Sequence, residues 1–434
     1  MIDIRQGGTL GDFAGLQRGT TYKSKLLGTE GPWLLGLACI ARNGGFKADN
    51  LKTYGGPSDP KILIGPGDIL VSLKDVTQAA DLLGSVVTVP ASIGQGRLTQ
   101  DTVKLVFEDD FSERNYIYWL LRTPQARDHC RRHATGTTNL GLAREDFLAI
   151  EVPPLDEGRE NLLQVLQALD DKIDLNRQMN ETLEAQARAL FRDWFVDFGP
   201  VKAKMAGDTP YLAPDLWSLF PNRLDDDGVP EAWRTYRVEQ IADHHMKSLK
   251  PMDAATEVFE HFSLPAYDSS QQPVLEVGGG IKSNKTIVPN GAILLSKLNP
   301  EKPRVWWPQN EGVHRQIAST EFLAFTAKSG ISPALLYSLF SDQTFRQRLE
   351  GMVTGTSKSH QRISPPALRS LEAVVGDENV FAAFGEVTTS LMQRVLANRA
   401  ENLTLAQTRD LLLPKLMSGE IRVREAERQK EEAL

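Results

Sequence analysis

The sequence predicts an α+β fold in which two similar mixed α/β domains are joined by two long antiparallel helices that form a coiled coil. The first observation behind this prediction is a repeat. The segment YWLLRTPQARDHCRRHATGTT at 118–138 is matched by YSLFSDQTFRQRLEGMVTGTS at 337–357, at a spacing of 219 residues (337 − 118). A repeat this long cannot be a solenoid unit, so it indicates two copies of one domain.

The second observation is a long helical run after each copy. Residues 160–195 contain neither Gly nor Pro, and residues 386–414 contain no Gly and end at a Pro. From Leu162 to Trp194 the core positions alternate in steps of four and three, which is a heptad seam. The same seam recurs 222 residues later (398 − 176). Each domain is therefore predicted to be followed by a coiled-coil helix.

Proline, glycine and aspartate divide the chain further. Pro153-Pro154 ends the first domain, and a stretch rich in Pro, Gly and Asp precedes the second. The predicted segments are a first domain at 1–155, a spacer helix at 156–195, a connector at 196–229, a second domain at 230–376, a second spacer helix at 377–420 and a charged tail at 421–434.

Bulk composition limits the classes of protein that are possible. The chain has 434 residues, 41% of them hydrophobic, which is enough for two or three domains with real cores. Its net charge of −7 means that any contact with DNA must use local basic patches. Cys39 and Cys130 fit neither a zinc site nor a disulfide framework. With no signal peptide and no apolar run of about 18 residues, we expect a cytoplasmic protein that does not span a membrane.

Two asparagines occupy core positions of each seam: Asn176 and Asn180 in the first, Asn398 and Asn402 in the second. A buried Asn lowers the stability of a coiled coil but fixes register and partner. An antiparallel alignment predicts that Asn176 faces Asn402 and that Asn180 faces Asn398. The alternative is that all four are exposed on helices with unrelated partners. The stretch 170–172 (Asp-Asp-Lys) is expected to be solvated.

Basic residues surround both copies of the Thr-Gly-Thr element. Arg and Lys beside a glycine-hinged loop suit phosphate contact, and small polar side chains can add hydrogen bonds. Arg122 and Arg127 belong to the wider patch of the first domain. The predicted DNA-binding residues are Arg131, Arg132, Thr137, Thr138, Asn139, Lys297, Arg304, Ser357, Lys358, His360 and Arg362. The alternative is a solvated helix face followed by a tight turn.

Catalytic motifs are missing from the sequence. No phosphate-binding loop, metal-ligand spacing or nucleophile elbow occurs. We therefore expect that the chain has no catalytic site and binds no cofactor or metal of its own.

With these features the chain resembles the specificity (S) subunit of type I restriction–modification systems. The most specific segments are LFRDWFVDFGPVKAKMAG (190–207), IKSNKTIVPNGAILLSKLNPEKPRVWW (281–307) and NLTLAQTRDLLLPKLMSGEIRV (402–423). GTTNLGL (136–142) and GTSKSHQRI (355–363) resemble the ends of that family's target-recognition domains. The first domain lacks the P-x-x-W start found at 230–233, so its beginning is less well defined.

The resemblance implies a DNA-binding subunit of a phage-defence complex. Each target-recognition domain would read one half of a bipartite site in double-stranded DNA. The helices would set the gap and dock two methyltransferase (modification) subunits, which bring S-adenosylmethionine and methylate adenine at N6. Two restriction subunits would add ATP- and Mg-dependent translocation and cleavage. Two other interpretations remain open: a coiled-coil adaptor that binds only proteins, and a divergent fused restriction–modification enzyme.

Overall fold

The computed structural model has an α+β fold that divides into two compact units. The first unit comprises residues 1–174 and 401–434, and the second comprises 175–400. Each predicted spacer helix is therefore divided between the units rather than forming a segment of its own. The structure describes residues 3–41, 45–48, 51–76, 80–108, 111–137, 139–302, 304–310, 312–353 and 361–419.

The first unit begins with short strands and ends with a long helix. Its strands are β1 (Gly8–Thr9), β2 (Gly15–Arg18), β3 (Trp33–Leu35), β4 (Leu63–Ile64), β5 (Ile69–Ser72), β6 (Lys74–Asp75), β7 (Val86–Thr88), β8 (Gly96–Leu98), β9 (Thr102–Val106), β10 (Leu140–Gly141) and β11 (Glu151–Val152). Its helices are α1 (Arg114–Arg122), α2 (Pro124–Arg132), α3 (Arg144–Leu148) and α4 (Glu157–Phe195), the last of which continues into the second unit. Short 3-10 turns lie at Ile4–Gln6, Leu10–Asp12, Ser24–Leu26, Leu37–Cys39, Pro60–Ile62 and Ala91–Ile93.

Two main sheets form the first unit. An antiparallel sheet has the order β2-β9-β5-β7, and a smaller sheet has the order β3-β8-β4, in which β3 and β8 are parallel. All four residues of β5 are buried, as expected for an apolar run in the middle of a sheet. Trp119 on α1 and Phe147 on α3 fill the core beside the four-stranded sheet.

The second unit contains the same kinds of element in a similar order. Its helices are α5 (Gly199–Ala206), α6 (Pro214–Ser218), α7 (Val238–Ile241), α8 (Leu264–Ser270), α9 (Pro333–Ser341), α10 (Gln343–Glu350), α11 (Pro365–Ser370) and α12 (Glu378–Leu412), the last of which continues into the first unit. Its strands are β12 (Arg234–Arg237), β13 (Ala242–His245), β14 (Ser248–Leu249), β15 (Val258–Phe262), β16 (Val274–Val277), β17 (Lys285–Ile287), β18 (Ile293–Ser296), β19 (Val305–Trp306), β20 (Arg315–Ser319), β21 (Phe322–Ala327) and β22 (Glu372–Gly376). Short 3-10 turns lie at Pro251–Ala254 and Gly278–Gly280.

Two sheets also form the core of the second unit. An antiparallel sheet has the order β13-β21-β18-β19. A five-stranded sheet has the order β14-β17-β20-β15-β16, in which β15 and β20 are parallel. The central strand β18, with the sequence ILLS, is completely buried.

The two long helices are antiparallel. In the first unit Asn402 of α12 contacts Ile173 of α4, and in the second unit the rings of Phe384 and Phe191 lie 6.0 Å apart. α4 matches its predicted bounds, but the predicted helix at 377–420 is wrong at its end. α12 stops at Leu412 and a short helix, α13 (Lys415–Ser418), follows in the first unit. Pro414 explains the break, because proline lacks the N–H that continues a helix.

The connector at 196–229 is more ordered than its composition suggests. It contains α5 and α6, and the side chains of Val201 and Phe220 are buried in the core of the second unit. The ring of Phe220 lies 5.1 Å from that of Trp194, near the end of α4. The connector is thus part of the domain that it precedes. The predicted tail at 421–434 lies outside the described residues, and none of the helices in the described ranges combines the length and apolar character needed to cross a bilayer.

Candidate nucleic-acid interface

A tight loop after α2 carries the Thr-Gly-Thr element of the first unit. Thr135 and Gly141 exchange backbone hydrogen bonds of 2.8 Å in both directions and so close the loop at its base. Gly136 has φ +101°, and a Cβ atom there would lie 2.3 Å from the carbonyl oxygen of Asn139. Only glycine fits this position without rearrangement. Thr137 and Asn139 are exposed on the loop, whereas Thr138 lies outside the described residues.

The end of this loop pairs with β6, the short strand that follows β5 of the four-stranded sheet. β10 pairs with β6, so that Leu140 lies opposite Asp75 and Gly141 opposite Lys74. The Oγ of Ser72 accepts a hydrogen bond from the Lys74 backbone N–H and holds the turn between β5 and β6. The Lys74 ammonium, half-exposed, lies 2.7 Å from the Asp101 carboxylate. A polar loop and a lysine are therefore presented together at one end of the sheet.

The second unit repeats this arrangement at the end of β18. The Ser296 Oγ accepts from the Leu298 backbone N–H, as Ser72 does for Lys74. The returning chain pairs there: Ile363 N donates to Lys297 O and Asn299 N donates to Gln361 O, each at 2.9 Å. Three predicted contact residues, Ser357, Lys358 and His360, lie outside the described residues.

Four of the predicted cations are accessible. Arg131 and Arg132 are exposed on the last turn of α2, where Arg131 forms an exposed ion pair with Asp128 at 2.7 Å. Arg362 pairs with Glu321 at 3.1 Å, and its hydrogen bond to that carboxylate raises the pKa of the guanidinium. Lys297 is half-buried. Exposed pairs of this kind are weak, so a phosphate can replace the carboxylate at little cost.

The electrostatics at the end of β13 in the second unit are also positive. The side chain of His244 is half-buried and stacks on Phe325 at 4.9 Å. Burial, followed by the nearby charges of Arg369, His245 and Lys297, lowers the pKa of His244. Burial is the main cause of this shift, and the nearby Arg369 and Lys297 add positive charge of the kind that attracts a phosphate backbone.

Three of the predicted basic residues have structural roles instead. Arg304 is buried and forms a two-pronged pair with Asp268 at 2.7 and 2.8 Å, so its predicted contact with DNA is not supported. Arg127 donates to the Asp81 carbonyl at 2.6 Å, and burial lowers the pKa of its guanidinium. Arg122 lies 2.6 Å from Asp170 with only 7% of its side chain exposed. A basic residue in a sequence does not reveal whether its charge is already compensated within the fold.

The asparagines of the helix pair lie inside it. Asn398 Nδ2 donates to Asn180 Oδ1 at 2.9 Å, and both residues are buried. Asn402 Nδ2 donates to the Ile173 carbonyl at 3.4 Å. Asn176 is fully buried. The exposed alternative is therefore wrong for Asn176, Asn180 and Asn398, while their role in register stays a prediction.

A metal site would need several ligating side chains close together. In the ranges that the structure describes, no three His, Cys, Asp or Glu side chains are grouped in a way that suits a metal ion. The described residues offer a polar loop beside cations in the first unit, and in the second unit a strand end with Lys297 where the chain returns at Arg362 and Ile363. The chemistry of this arrangement is recognition of an anionic partner.

Comparison with known proteins identifies the relatives of this chain. No protein-family model matches it. It is 25% identical over 322 residues to the type I restriction enzyme MjaIX specificity subunit of Methanocaldococcus jannaschii, covering 71% of this chain and 69% of that protein. It is 24% identical over 324 residues to the HindI specificity subunit of Haemophilus influenzae, covering 63% of this chain and 69% of that protein.

This chain is a homologue of type I restriction enzyme specificity subunits. The resemblance predicted from the sequence is thus confirmed. The fold of this specificity-subunit homologue is also similar to the crystal structure of a type I restriction–modification S subunit from M. genitalium. The TM-score is 0.51 at 15% sequence identity, over 95% of each chain.

The sequence reasoning missed one part of the candidate interface. Lys74 lies at the base of the first loop, yet it was not among the predicted DNA-binding residues. The signal that would have found it is a second repeat: ILVSLKD at 69–75 corresponds to ILLSKLN at 293–299. Both segments end a buried strand and continue to the position where the returning loop docks.

Proposed function

We propose that this chain is a non-catalytic subunit that gives a type I restriction–modification complex its DNA sequence specificity. One surface at a sheet end in each unit would contact one half of a bipartite site in double-stranded DNA. The observation that carries the proposal is the backbone pairing of the returning chain in both units, between Thr135 and Gly141 in the first and between Lys297 and Ile363 in the second. Homology to specificity subunits supports it.

The proposed partners follow from the names of the relatives and from the absence of catalytic motifs in this sequence. Two methyltransferase subunits would bind S-adenosylmethionine and transfer the methyl group. Two restriction subunits would bind ATP and Mg. In this proposal the chain itself binds none of these cofactors and supplies the DNA contacts and the scaffold.

The proposed contacts are the exposed polar residues of the two surfaces. Arg131, Arg132 and Lys74 would contact phosphates in the first half-site, with Lys297 and Arg362 in the second. Phosphate contacts position a protein on DNA, whereas sequence is read at base edges. Thr137 and Asn139 are candidates for base contact because they are exposed on the loop that Thr135 and Gly141 close.

The decisive experiment is co-expression with modification subunits in cells that otherwise lack adenine methylation. Genome-wide mapping of N6-methyladenine should then reveal one bipartite motif, and omission of this chain should abolish it. Purified chain incubated with S-adenosylmethionine and DNA, without partners, should show no methylation. Methylation by the isolated chain would indicate a fused enzyme instead, and binding of the partners with no dependence on DNA sequence would indicate a protein-only adaptor.

A further inference from the structure

A buried ionic cluster ties the first domain to both long helices. The Arg122 guanidinium on α1 lies 2.6 Å from the Asp170 carboxylate on α4, and the Arg409 guanidinium on α12 lies 2.7 Å from the same carboxylate. Arg122 also donates to the Tyr118 hydroxyl at 3.1 Å. We call Tyr118, Arg122, Asp170 and Arg409 the first joint. The expectation that residues 170–172 form a solvated face was therefore wrong at Asp170.

A corresponding cluster lies in the second unit. The Arg399 guanidinium on α12 lies 2.6 Å from the Glu184 carboxylate on α4, with 17% of each side chain exposed. Arg399 also hydrogen-bonds the side chain of Tyr337 on α9 and donates to Gln271 Oε1 at 3.3 Å. We call Tyr337, Glu184 and Arg399 the second joint.

The two joints share one plan. In each, the domain supplies a tyrosine, α4 supplies the carboxylate and α12 supplies an arginine. The tyrosines, Tyr118 and Tyr337, are corresponding residues of the sequence repeat. The acidic and basic residues of the two joints do not correspond in the repeat. In the first domain α1 also supplies Arg122, whereas Ser341 of α9 occupies the corresponding position in the second domain. Similar contacts are thus built at both ends from residues that do not correspond.

The charges of Asp170 and Arg399 are held in their ionised forms. Burial alone would raise the pKa of Asp170, but Arg122 and Arg409 outweigh this effect and hold it below its ordinary value. Burial likewise opposes the charge of Arg399, but Tyr337 and Glu184 raise its pKa. Burial raises the pKa of the Tyr337 hydroxyl, which therefore stays protonated. Each joint is a compensated network and not a set of independent surface charges.

Such a network restricts geometry more than apolar packing does. Leucine side chains on a heptad seam tolerate small rotations and slides, because dispersion is non-directional. A charge-assisted hydrogen bond is short and directional, and a small displacement leaves a buried charge without its partner. The joints therefore fix the direction in which α4 and α12 leave each domain.

We propose that the two joints are positioning elements that restrict the complex to one gap length between its half-sites. This inference rests on the proposed function, because a gap exists only if the two units read two half-sites. Tyr118, Arg122, Asp170 and Arg409, with Tyr337, Glu184 and Arg399, act through the helices and contact no DNA. Their loss widens the range of accepted gaps and leaves both half-site sequences unchanged.

The test uses the full chain in complex with its modification subunits. A plasmid pool carries the two half-sites of the wild-type motif at the native gap and at gaps one and two base pairs shorter or longer. Methylation of every gap is measured in one reaction by sequencing. The readout is the ratio of initial rates at the native gap and at its neighbours, which does not depend on how much of a variant is folded.

Glu184→Gln should lower this ratio about tenfold, since the bond that it weakens involves a charged group. Tyr337→Phe removes only a hydroxyl and should lower the ratio about three- to tenfold. Glu401→Gln is the matched control. It weakens the pair between Lys172 and Glu401, which joins the same two helices at 3.5 Å but leaves 38% of each side chain exposed. The control should keep the wild-type ratio.

The outcomes separate the two proposals. Wild-type selectivity in both Glu184→Gln and Tyr337→Phe would overturn the positioning role, whatever their stability. If Glu184→Gln does not assemble, Tyr337→Phe alone decides. A wild-type complex that methylates no bipartite motif would instead refute the proposed function. A variant that alters the half-site sequences themselves would show that its residue takes part in base recognition, which also contradicts the positioning role.

Discussion

The two units are most alike in their four-stranded sheets and differ most in the other sheet, which among the described residues has three strands in the first unit and five in the second. β2-β9-β5-β7 and β13-β21-β18-β19 have one strand order, and in chain order both run first, fourth, second, third. The smaller sheet β3-β8-β4 corresponds to the core β15-β20-β17 of the five-stranded sheet, with the same parallel and antiparallel pairings. We interpret this shared order as an internal duplication.

The five-stranded sheet of the second unit has two strands that the described part of the first unit lacks. β14 extends one edge and β16 the other. Three apolar residues of β16, Val274, Leu275 and Val277, are 50 to 59% exposed. The four-stranded sheets of the two units are therefore alike. The units differ at the edges of the other sheet, where, in the ranges that the structure describes, only the second unit has β14 and β16. The proposed function, in which the units read two different half-sites, would use this combination of a common frame and separate surfaces.

The largest effect should come from exchanging one reader. Replacing residues 230–376 by the corresponding domain of a relative should change one half of the methylated motif and preserve the other. Methylation of the original motif should fall by about a thousandfold or more, the usual ratio between specific and non-specific binding. Methylome sequencing measures both quantities, and a swap that changed both halves would show that the units are not separate readers.

The joints offer a second contrast between the units. Asp170→Asn leaves the buried Arg122 guanidinium without its carboxylate and Arg409 with only the exposed Asp410, which should lower the free energy of unfolding by about 3–5 kcal/mol. Glu184→Gln should lower the free energy of unfolding by less, because the second joint contains one buried guanidinium, that of Arg399. Glu184 also pairs with Arg188, but the Arg188 side chain is exposed. Urea unfolding measures the free energy of unfolding of each variant and so checks this order. The control, Glu401→Gln, should stay within about 1 kcal/mol of the wild type.

The first joint also has a predicted pH dependence. The pKa of Asp170 is held below its ordinary value of 3.8, so its ionised form stabilises the fold. That stabilisation is complete above the ordinary pKa and is lost as pH falls through the folded-state value. The stability difference between wild type and Asp170→Asn should be constant from about pH 7 to pH 5 and should shrink below about pH 4. A difference that grows with acid would contradict the assignment.

The asparagine pair of the second unit gives an effect of intermediate size. Asn180→Leu should cost about 1–3 kcal/mol, because it leaves the buried amide of Asn398 without its 2.9 Å partner. The double variant with Asn398→Leu should recover or exceed wild-type stability, since two leucines pack well at a seam. A double-mutant cycle measures the coupling. Additive losses would show that the two amides do not depend on each other.

The smallest effect should follow removal of single cations at the proposed DNA-binding surface. Arg131→Ala or Arg132→Ala should weaken binding of the assembled complex to all sequences alike. Each substitution should also lower the salt slope of binding by about 0.9, the value expected for one phosphate that is no longer neutralised. Arg223→Ala is the control and should leave the salt slope unchanged. Arg223 lies in the connector, is exposed and pairs with Glu231. An unchanged salt slope in both arginine variants would remove them from the interface.

The long helices could be predicted from the periodicity of apolar residues in the sequence. The uninterrupted run with its heptad seam predicted a helix at 160–195 within the segment 156–195, and α4 begins at Glu157 and ends at Phe195. Local rules act over a few residues, so seams and proline stops can be recognised in the sequence alone. Even so, Pro414 was placed inside the predicted helix 377–420, although its effect at Leu412 was available from the same rules.

What the sequence by itself determined was the two-domain plan, the helix pair and the resemblance to type I specificity subunits. What only the tertiary structure decided was which charges are exposed to solvent and which are buried. Arg131 and Arg304 are both basic residues in patches, yet one is exposed and the other is buried against Asp268, 36 residues away along the chain. Asp170 was expected in solvent and lies between Arg122 and Arg409. Charge compensation depends on neighbours brought together by folding, and the order of residues along the chain does not contain those distances.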